Sequence, residues 1–162
     1  MFREMRRKKQ LMSKESTEEI LTDGVTGILA VLGDEEYPYS VPVNYIYENG
    51  KIYFHCAKKG HKLDAIKKHD KVSFCVIDQE QIVPEKFTTY YRSVIAFGKA
   101  AVVRDDAEKL RVIRLLNTKY VPGSDEAGEK AIKRGWNALR IVQIEVEHLT
   151  GKEAKGLVKR KN

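Results

Sequence analysis

The fold is decided by the segment YSVPVNYIYENGKIYFHCA, residues 39–57. Tyrosine and valine occupy the odd positions from 39 to 47, which is the two-residue period of a β-strand with one buried face. Asn49-Gly50 is the strongest short signal for a β-hairpin turn, because both residues tolerate the left-handed backbone that a type I′ turn requires. Residues 52–57 then alternate again, with Ile52, Phe54 and Cys56 on one face. The sequence therefore predicts a hairpin between strand 39–47 and strand 52–57.

Pro42 gives this hairpin an unusual first strand. Proline has no N–H to donate to a ladder, so it belongs on an edge strand or beside a site where the backbone is unpaired. Asn44 projects from the same face and carries both a donor and an acceptor. We expect an edge or a ligand beside residues 42–44.

The second strand leads into the segment Lys58-Lys59-Gly60-His61-Lys62. Gly60 occupies the N-cap position of a predicted helix 61–68, and His61 and Lys62 lie in its first turn. A helix N-terminus offers unpaired N–H groups and a partial positive charge, and Lys62 adds a cation, so the segment favours a single terminal phosphate. The spacing matches neither of the glycine-rich loops that bind nucleotides. Many junctions of this kind bind nothing, and the segment alone leaves both interpretations open.

Outward from the hairpin, further elements are predicted on both sides. Upstream are a helix capped by Ser16 and a strand over 28–32. Downstream are strands 71–77, 91–103 and 139–149, with a bulge at Gly98, and helices beginning at Asp105 and Ser124. Six strands and few helices predict a mainly β protein, a six-stranded antiparallel Greek-key-type barrel that is closed and has peripheral helices.

Length and charge set further limits. A chain of 162 residues with 42% hydrophobic residues suits one folded domain. The net charge of +7 comprises +5 in residues 1–14 (six Lys/Arg, one Glu), +4 in residues 152–162 (five Lys/Arg, one Glu) and −2 in between. We therefore expect a folded domain over 15–151 between two basic segments, the second frayed from Gly151. The nearly neutral body argues against nucleic-acid binding.

Neither a membrane nor a metal is indicated by the composition. No apolar run reaches the length of a membrane span, and the N-terminus lacks the apolar core of a secretory signal, so we expect a cytoplasmic protein. Cys56 and Cys75 fit buried free thiols, since the chain has no C-x-x-C motif. The spacing of His55, Cys56 and His61 does not match a structural zinc site, and no metal is expected.

Three segments resemble the nitroimidazole-resistance (Nim) protein family: YPYSVPVN at 37–44, YFHCAKKGHKL at 53–63 and YRSVIAFG at 91–98. That family belongs to the pyridoxamine-phosphate-oxidase-like group of FMN-binding split barrels, and the likeness covers nearly the whole chain. The resemblance implies a homodimer with FMN at the subunit interface. It also implies an oxidoreductase that reduces nitroimidazole-type or other small acceptors.

The resemblance assigns roles to individual residues. Gly60, His61 and Lys62 would hold the FMN phosphate, and His55 would also serve the reaction as the catalytic residue. Ser93 and Trp136 would reach the flavin from the partner subunit. The residues expected to line the flavin ring are Pro42, Val43, Asn44, Tyr45, His55, Cys56 and Ala57.

Alternative functions stay open at this point. His55 also fits a structural histidine, and Trp136 fits dimer packing. The whole protein also fits a flavin store or sensor without turnover, or an oxidase-like enzyme with another substrate. Oxidation of vitamin B6 is disfavoured, because the chain ends in GLVKRKN and lacks the arginine- and histidine-bearing strand of the true oxidases.

Overall fold

The computed structural model describes residues 1–158 and contains one sheet surrounded by helices. The strands, all paired antiparallel, are β1 Thr26–Leu32, β2 Pro38–Asn44, β3 Ile46–Glu48, β4 Lys51–Ala57, β5 Lys71–Val83, β6 Thr88–Val102 and β7 Leu139–Glu153. The helices are α1 Lys14–Asp23, α2 His61–Lys68, α3 Asp106–Tyr120, α4 Asp125–Gly135 and α5 Lys155–Val158.

The strand order in the sheet is β2-β1-β5-β6-β7-β4-β3. Its two outermost strands are consecutive in the chain, separated only by Tyr45, and β2 approaches β4, so the sheet curls back on itself. Within residues 1–158, however, no ladder joins β2 to β3 or β4. The prediction of a six-stranded closed barrel was therefore wrong in strand number and in closure: the protein is mixed α/β with a seven-stranded open sheet.

The error lies at Tyr45, where the predicted strand 39–47 divides into two. The Tyr45 side chain is fully buried and meets Phe74 edge-on, with 4.9 Å between ring centroids. Its N–H donates to the Tyr120 hydroxyl at 2.9 Å, and its carbonyl accepts from that hydroxyl at 2.6 Å. The end of α3 thus supplies the hydrogen bonds that a neighbouring strand would otherwise make.

The hairpin itself is confirmed. Asn49 and Gly50 both have positive φ, at 51° and 76°, and Glu48 pairs with Lys51 across the turn. Pro42 pairs with Ile28 of β1 and lies on an edge strand, as expected. The two predicted faces of residues 52–57 are also correct, because Ile52, Phe54 and Cys56 belong to one apolar core, whereas Tyr53 belongs to another.

Two apolar cores lie on opposite faces of β4. The larger is enclosed by the curled sheet, α1 and α2, and includes Leu29, Phe54 and Phe74. The smaller lies between β4, β7, α3 and α4, and includes Tyr53, Ile113 and Ile132. Alternate residues of β4 therefore face one core or the other, which fixes the orientation of His55 toward α3 and α4.

Both ends of the domain differ from expectation. Helix α1 begins at Lys14 and is capped by Ser13, whose hydroxyl accepts from the Ser16 N–H at 3.1 Å. Strand β7 continues past Gly151 to Glu153, and Ala154 and Leu157 are buried. The expected fraying from Gly151 is thus wrong for residues 151–158, and the rest of the predicted basic tail lies outside the described residues.

Candidate functional site

The candidate site is the gap between β2 and β4, where the curled sheet does not close. We call this gap the seam. Strand β4 pairs with β7 over Lys51–Ala57 but with β3 only over residues 51–53. Among the residues that the structure describes, residues 54–57 therefore have no strand on the side that faces β2, and β2 pairs only with β1. The seam has two edges, which we call its lips. The β2 lip carries Pro42, Val43 and Asn44, and the β4 lip carries His55, Cys56 and Ala57. The structure thus brings together two groups of predicted residues.

Asn44 and His55 share a mostly apolar cavity of about 290 Å³ between the seam and the helices above it. Its remaining lining residues are Ile113, Leu116, Asn117, Tyr120, Val121, Ala131, Ile132, Gly135 and Leu139. The Asn44 amide is anchored, since its Nδ2 donates to the Val25 carbonyl at 3.0 Å. A small apolar molecule in this cavity would contact the amide of Asn44 and the imidazole of His55.

The start of α2 lies at one end of the β4 lip. Gly60 is the N-cap, with φ at 145°, and it provides no side-chain cap to the helix. A side chain at Gly60 would meet no atom within 4 Å, so the space over the N-terminus is open. The N–H groups of Leu63 and Asp64 bond to the Gly60 carbonyl, whereas those of His61 and Lys62 have no backbone partner within residues 1–158. Open space, free N–H groups and the Lys62 ammonium together fit a phosphate monoester.

His61 joins this helix terminus to β2. Its ring lies 4.2 Å from that of Tyr39, centroid to centroid, and its Nε2 accepts from the Asp34 N–H at 3.4 Å. The Asp34 carboxylate lies 3.6 Å from the same nitrogen. Contacts with both Tyr39 and the turn before β2 place the start of α2 beside the seam.

The Lys62 ammonium affects the pKa of both His55 and Cys56. Partial burial, together with the nearby Lys62 ammonium, lowers the pKa of His55 below its ordinary value. Burial raises the pKa of the Cys56 thiol, against the opposing effect of Lys62 and Arg140. His55 is therefore neutral at pH 7 in the absence of an anion, and Cys56 is a protonated core residue and a poor nucleophile.

Three predicted lining residues turn away from the seam. The Tyr45 side chain is buried in the larger core and its peptide groups are bonded to α3, so Tyr45 supports the lip and does not face it. Val43 and Cys56 also direct their side chains toward that core. Any contact of Val43 or Cys56 with a ligand in the seam would have to use the backbone.

Ser93 and Trp136 lie elsewhere on the same chain. Ser93 is on β6, opposite Ile77 and Lys152. Trp136 follows α4, and its ring centroid lies 3.9 Å from the Lys109 ammonium. Neither residue lines the cavity of Asn44 and His55, so their predicted role in a partner's site stays a prediction.

Sequence reasoning missed Tyr120. Its hydroxyl donates to the Val25 carbonyl or the Tyr45 carbonyl, at 2.7 and 2.6 Å, and its ring lines the cavity. The sequence contained one usable signal, a tyrosine directly before Val121-Pro122-Gly123 at a predicted helix end. Nothing in that signal indicates a contact with Tyr45, which is 75 residues away.

Comparison with known proteins places the chain in a family. A family model described as pyridoxamine 5'-phosphate oxidase matches residues 13–153, and the chain belongs to that family. No curated protein sequence matches at a significant level.

Solved structures confirm the fold. A candidate 5-nitroimidazole antibiotic resistance protein from Bacteroides thetaiotaomicron is 22% identical, with a TM-score of 0.72 over 88% of this chain and 86% of that one. A conserved hypothetical protein from Mycobacterium tuberculosis is 19% identical, with a TM-score of 0.81 over 95% and 92%. A FAD-binding protein from Mesorhizobium loti is 22% identical, with a TM-score of 0.66 over 90% and 98%. The fold is therefore that of the split barrels, and the family makes flavin binding plausible.

The helices give one further result. Within residues 1–158, none is both long enough and apolar enough to cross a bilayer.

Proposed function

We propose that the protein binds FMN in the seam between β2 and β4 and reduces nitroimidazole-type compounds or other small acceptors. One observation carries this proposal: both lips of the seam lie next to the start of α2, where Gly60 provides no side-chain cap. One continuous region of the chain thus offers a phosphate-type site at Gly60–Lys62 and a polar pair, Asn44 and His55, at an apolar cavity. A flavin bound there would supply the electrons for reduction.

The chain's own residues would orient the cofactor. The N–H groups of His61 and Lys62 and the Lys62 ammonium would hold the phosphate, and the Pro42 edge of β2 would leave its lip free of a competing strand. Asn44, held by the Val25 carbonyl, would present its remaining donor and acceptor groups in one orientation. These residues bind and position. Two titratable side chains line the cavity, His55 and Tyr120, and burial raises the pKa of the Tyr120 hydroxyl above its ordinary value, which leaves His55 to exchange a proton near neutral pH.

His55 would serve as the proton donor. A nitro group that accepts electrons gains negative charge on oxygen, and an imidazolium at the cavity wall can neutralise it by proton transfer. Burial and Lys62 lower the pKa of His55. A phosphate dianion at Lys62 would offset the second of these causes and raise the pKa of His55 toward neutrality. Cofactor binding would therefore increase the fraction of His55 that is protonated and able to donate.

The outer face of the sheet supports a homodimer. Register places Pro42, Ile28, Cys75 and Ile95 in one row across four strands, and Ile28 and Ile95 are 38% and 42% exposed. Exposed apolar rows of this kind mark protein interfaces. Because Pro42 belongs both to the row and to the seam, a second copy on this face would lie beside the cofactor. Ser93 lies on the same face, opposite Ile77, which is consistent with its proposed contact across the interface.

The proposal is tested by anaerobic stopped-flow spectroscopy. The flavin-loaded protein is reduced, mixed with a nitroimidazole and followed at the absorbance of oxidised flavin. Reoxidation that depends on the nitro compound is expected. A flavin that binds but stays reduced would instead favour the alternative, a flavin store or sensor without turnover. Reoxidation by another small organic acceptor alone would exclude nitro compounds and keep the reductase, whereas reoxidation by dioxygen alone would indicate an oxidase-like enzyme with another substrate.

A further inference from the structure

A second concave surface lies on the other side of α2. It has a volume of about 980 Å³ and is bounded by α2, the end of β6, the start of α3 and the segment before β7. We call it the basic groove. Its lining residues are Lys58, Leu63, Ile66, Lys67, Ala100, Ala101, Val102, Val103, Arg104, Asp106, Lys109, Trp136, Asn137 and Arg140.

The basic groove concentrates uncompensated positive charge. Five of its residues are cationic and one, Asp106, is anionic. Lys67 pairs with Asp64 at 3.3 Å, but among residues 1–158 Lys58, Arg104, Lys109 and Arg140 form no ion pair within 4.0 Å. The nearly neutral body of the protein therefore carries one strongly cationic concavity, which attracts anions.

Two of these cations are held in place by the backbone. Lys109 is 6% exposed, and its ammonium donates to the Trp136 carbonyl at 2.7 Å and lies over the Trp136 ring. Arg140 Nη1 donates to the Leu139 carbonyl at 2.8 Å and to the Asn137 carbonyl at 3.3 Å, which fixes the guanidinium and leaves the N–H groups of Nε and Nη2 for a ligand. Preorganised donors of this kind bind phosphate oxygens at little entropic cost.

The basic groove also adjoins the proposed phosphate site. Lys58 precedes Gly60 by two residues, and Leu63 of the first turn of α2 lines the groove. Arg140 pairs with Cys56 across β4 and β7, and Lys62 and Arg140 both oppose the burial that raises the pKa of the Cys56 thiol, so both cations lie near this residue. Apolar walls from Leu63, Ile66 and Val102 accompany the charges, so the expected ligand combines phosphate with an apolar ring.

We infer that the basic groove binds the pyrophosphate of a dinucleotide. The pyrophosphate binding itself does not depend on the proposed flavin site. Only the biological role of the groove rests on that proposed function. The pyrophosphate has two sources, a flavin dinucleotide that occupies the seam in place of FMN, or a nicotinamide dinucleotide that serves as the electron donor. A groove of about 980 Å³ is large enough for a ligand of this class, and the two negative charges of the pyrophosphate would meet four cations that have no ion pair among residues 1–158.

The direct test uses inorganic pyrophosphate and isothermal titration calorimetry on the full chain. Lys58 and Arg104 are exposed and form no ion pair, so the double variant Lys58→Gln/Arg104→Gln should fold. We expect pyrophosphate affinity to fall about tenfold or more in this variant. The matched control is Lys133→Gln/Arg134→Gln, which removes the same charge from the exposed surface of α4 and should leave affinity unchanged. Absence of pyrophosphate binding in the wild type, or equal losses in both variants, would overturn the inference.

Two further titrations identify the source. A preference of the wild-type protein for FAD over FMN that disappears in Lys58→Gln/Arg104→Gln assigns the groove to the flavin. A loss of NADPH or NADH affinity in the FMN-loaded variant, with FMN affinity retained, assigns it to the electron donor. If neither dinucleotide loses affinity relative to the control variant, the inference is wrong. If the protein binds pyrophosphate but no flavin, the inference about the basic groove stands and the proposed function is wrong.

Discussion

Lys62 is the residue on which the proposed phosphate site depends most. It lies in the first turn of α2, where the N-cap residue Gly60 provides no side-chain cap. We expect Lys62→Ala to weaken FMN binding by about tenfold to a hundredfold, because a charge-assisted contact to the phosphate is lost. The measurement is quenching of FMN fluorescence during titration of the apoprotein.

Lys68→Ala is the matched control for this experiment. Lys68 lies in the last turn of the same helix, exposed and paired with Asp34 at 3.4 Å. FMN affinity in this variant should equal that of the wild type. If Lys62→Ala binds FMN as tightly as the wild type, the start of α2 is not part of the binding site.

His55 gives the reaction a defined pH dependence. Its pKa lies below the ordinary value without the cofactor, and the flavin phosphate would bring the pKa back toward that value, so in the loaded protein the imidazole gains a proton as pH falls through about 6.5. If His55 donates the proton, the reoxidation rate should rise as pH falls below about 6.5 and then level off. Stopped-flow rates for wild type and His55→Gln measure this. A profile that is the same in both proteins would exclude His55 as the donor.

The side chains at the seam differ in how far the sequence could predict them. The strand faces of Asn44 and His55 were predicted correctly, because strand alternation sets the face of each residue. Alternation does not tell whether that face is covered, and Tyr45, predicted to line the flavin, is buried with Phe74. The basic groove was also missed, since its cations come from separate parts of the chain.

At the scale of secondary structure, the end of α3 holds the seam open. The Tyr120 hydroxyl satisfies the N–H and C=O of Tyr45 at the break between β2 and β3. We expect Tyr120→Phe to lower the free energy of unfolding by about 1–3 kcal/mol, because buried peptide groups lose their partner. Urea denaturation measures the change.

Tyr37→Phe provides the control, because Tyr37 is 75% exposed. Its hydroxyl removal should change the free energy of unfolding by less than about 0.5 kcal/mol. Equal stability of Tyr120→Phe and wild type would show that another group fixes the break at Tyr45.

Local signals predicted most of the elements. The Asn49-Gly50 turn, the Asp105 cap of α3 and the bulge at Gly98 all appear where expected. The helix α1 cap was misplaced by three residues, because both Ser13 and Ser16 suit an N-cap. The division at Tyr45 could not be predicted, since it depends on hydrogen bonds to residues that are distant in sequence.

At the scale of the whole molecule, the outer row of Pro42, Ile28, Cys75 and Ile95 is the proposed dimer interface. Ile95→Glu would place a charge in an apolar interface, so we expect a monomer by light scattering after size exclusion, with weakened flavin binding. Ile82→Glu is the control, because Ile82 is 71% exposed and outside this row. A monomeric wild type, or a dimeric Ile95→Glu, would contradict the proposed interface.

The central claim is that the uncapped start of α2 clasps a flavin phosphate beside the open seam. The most direct measurement compares the dissociation constants of FMN and riboflavin, two ligands that differ only in the phosphate. We expect the apoprotein to bind FMN at least about a hundredfold more tightly than riboflavin, since the phosphate contributes several charge-assisted hydrogen bonds. Equal affinities, or binding of neither ligand, would contradict the claim.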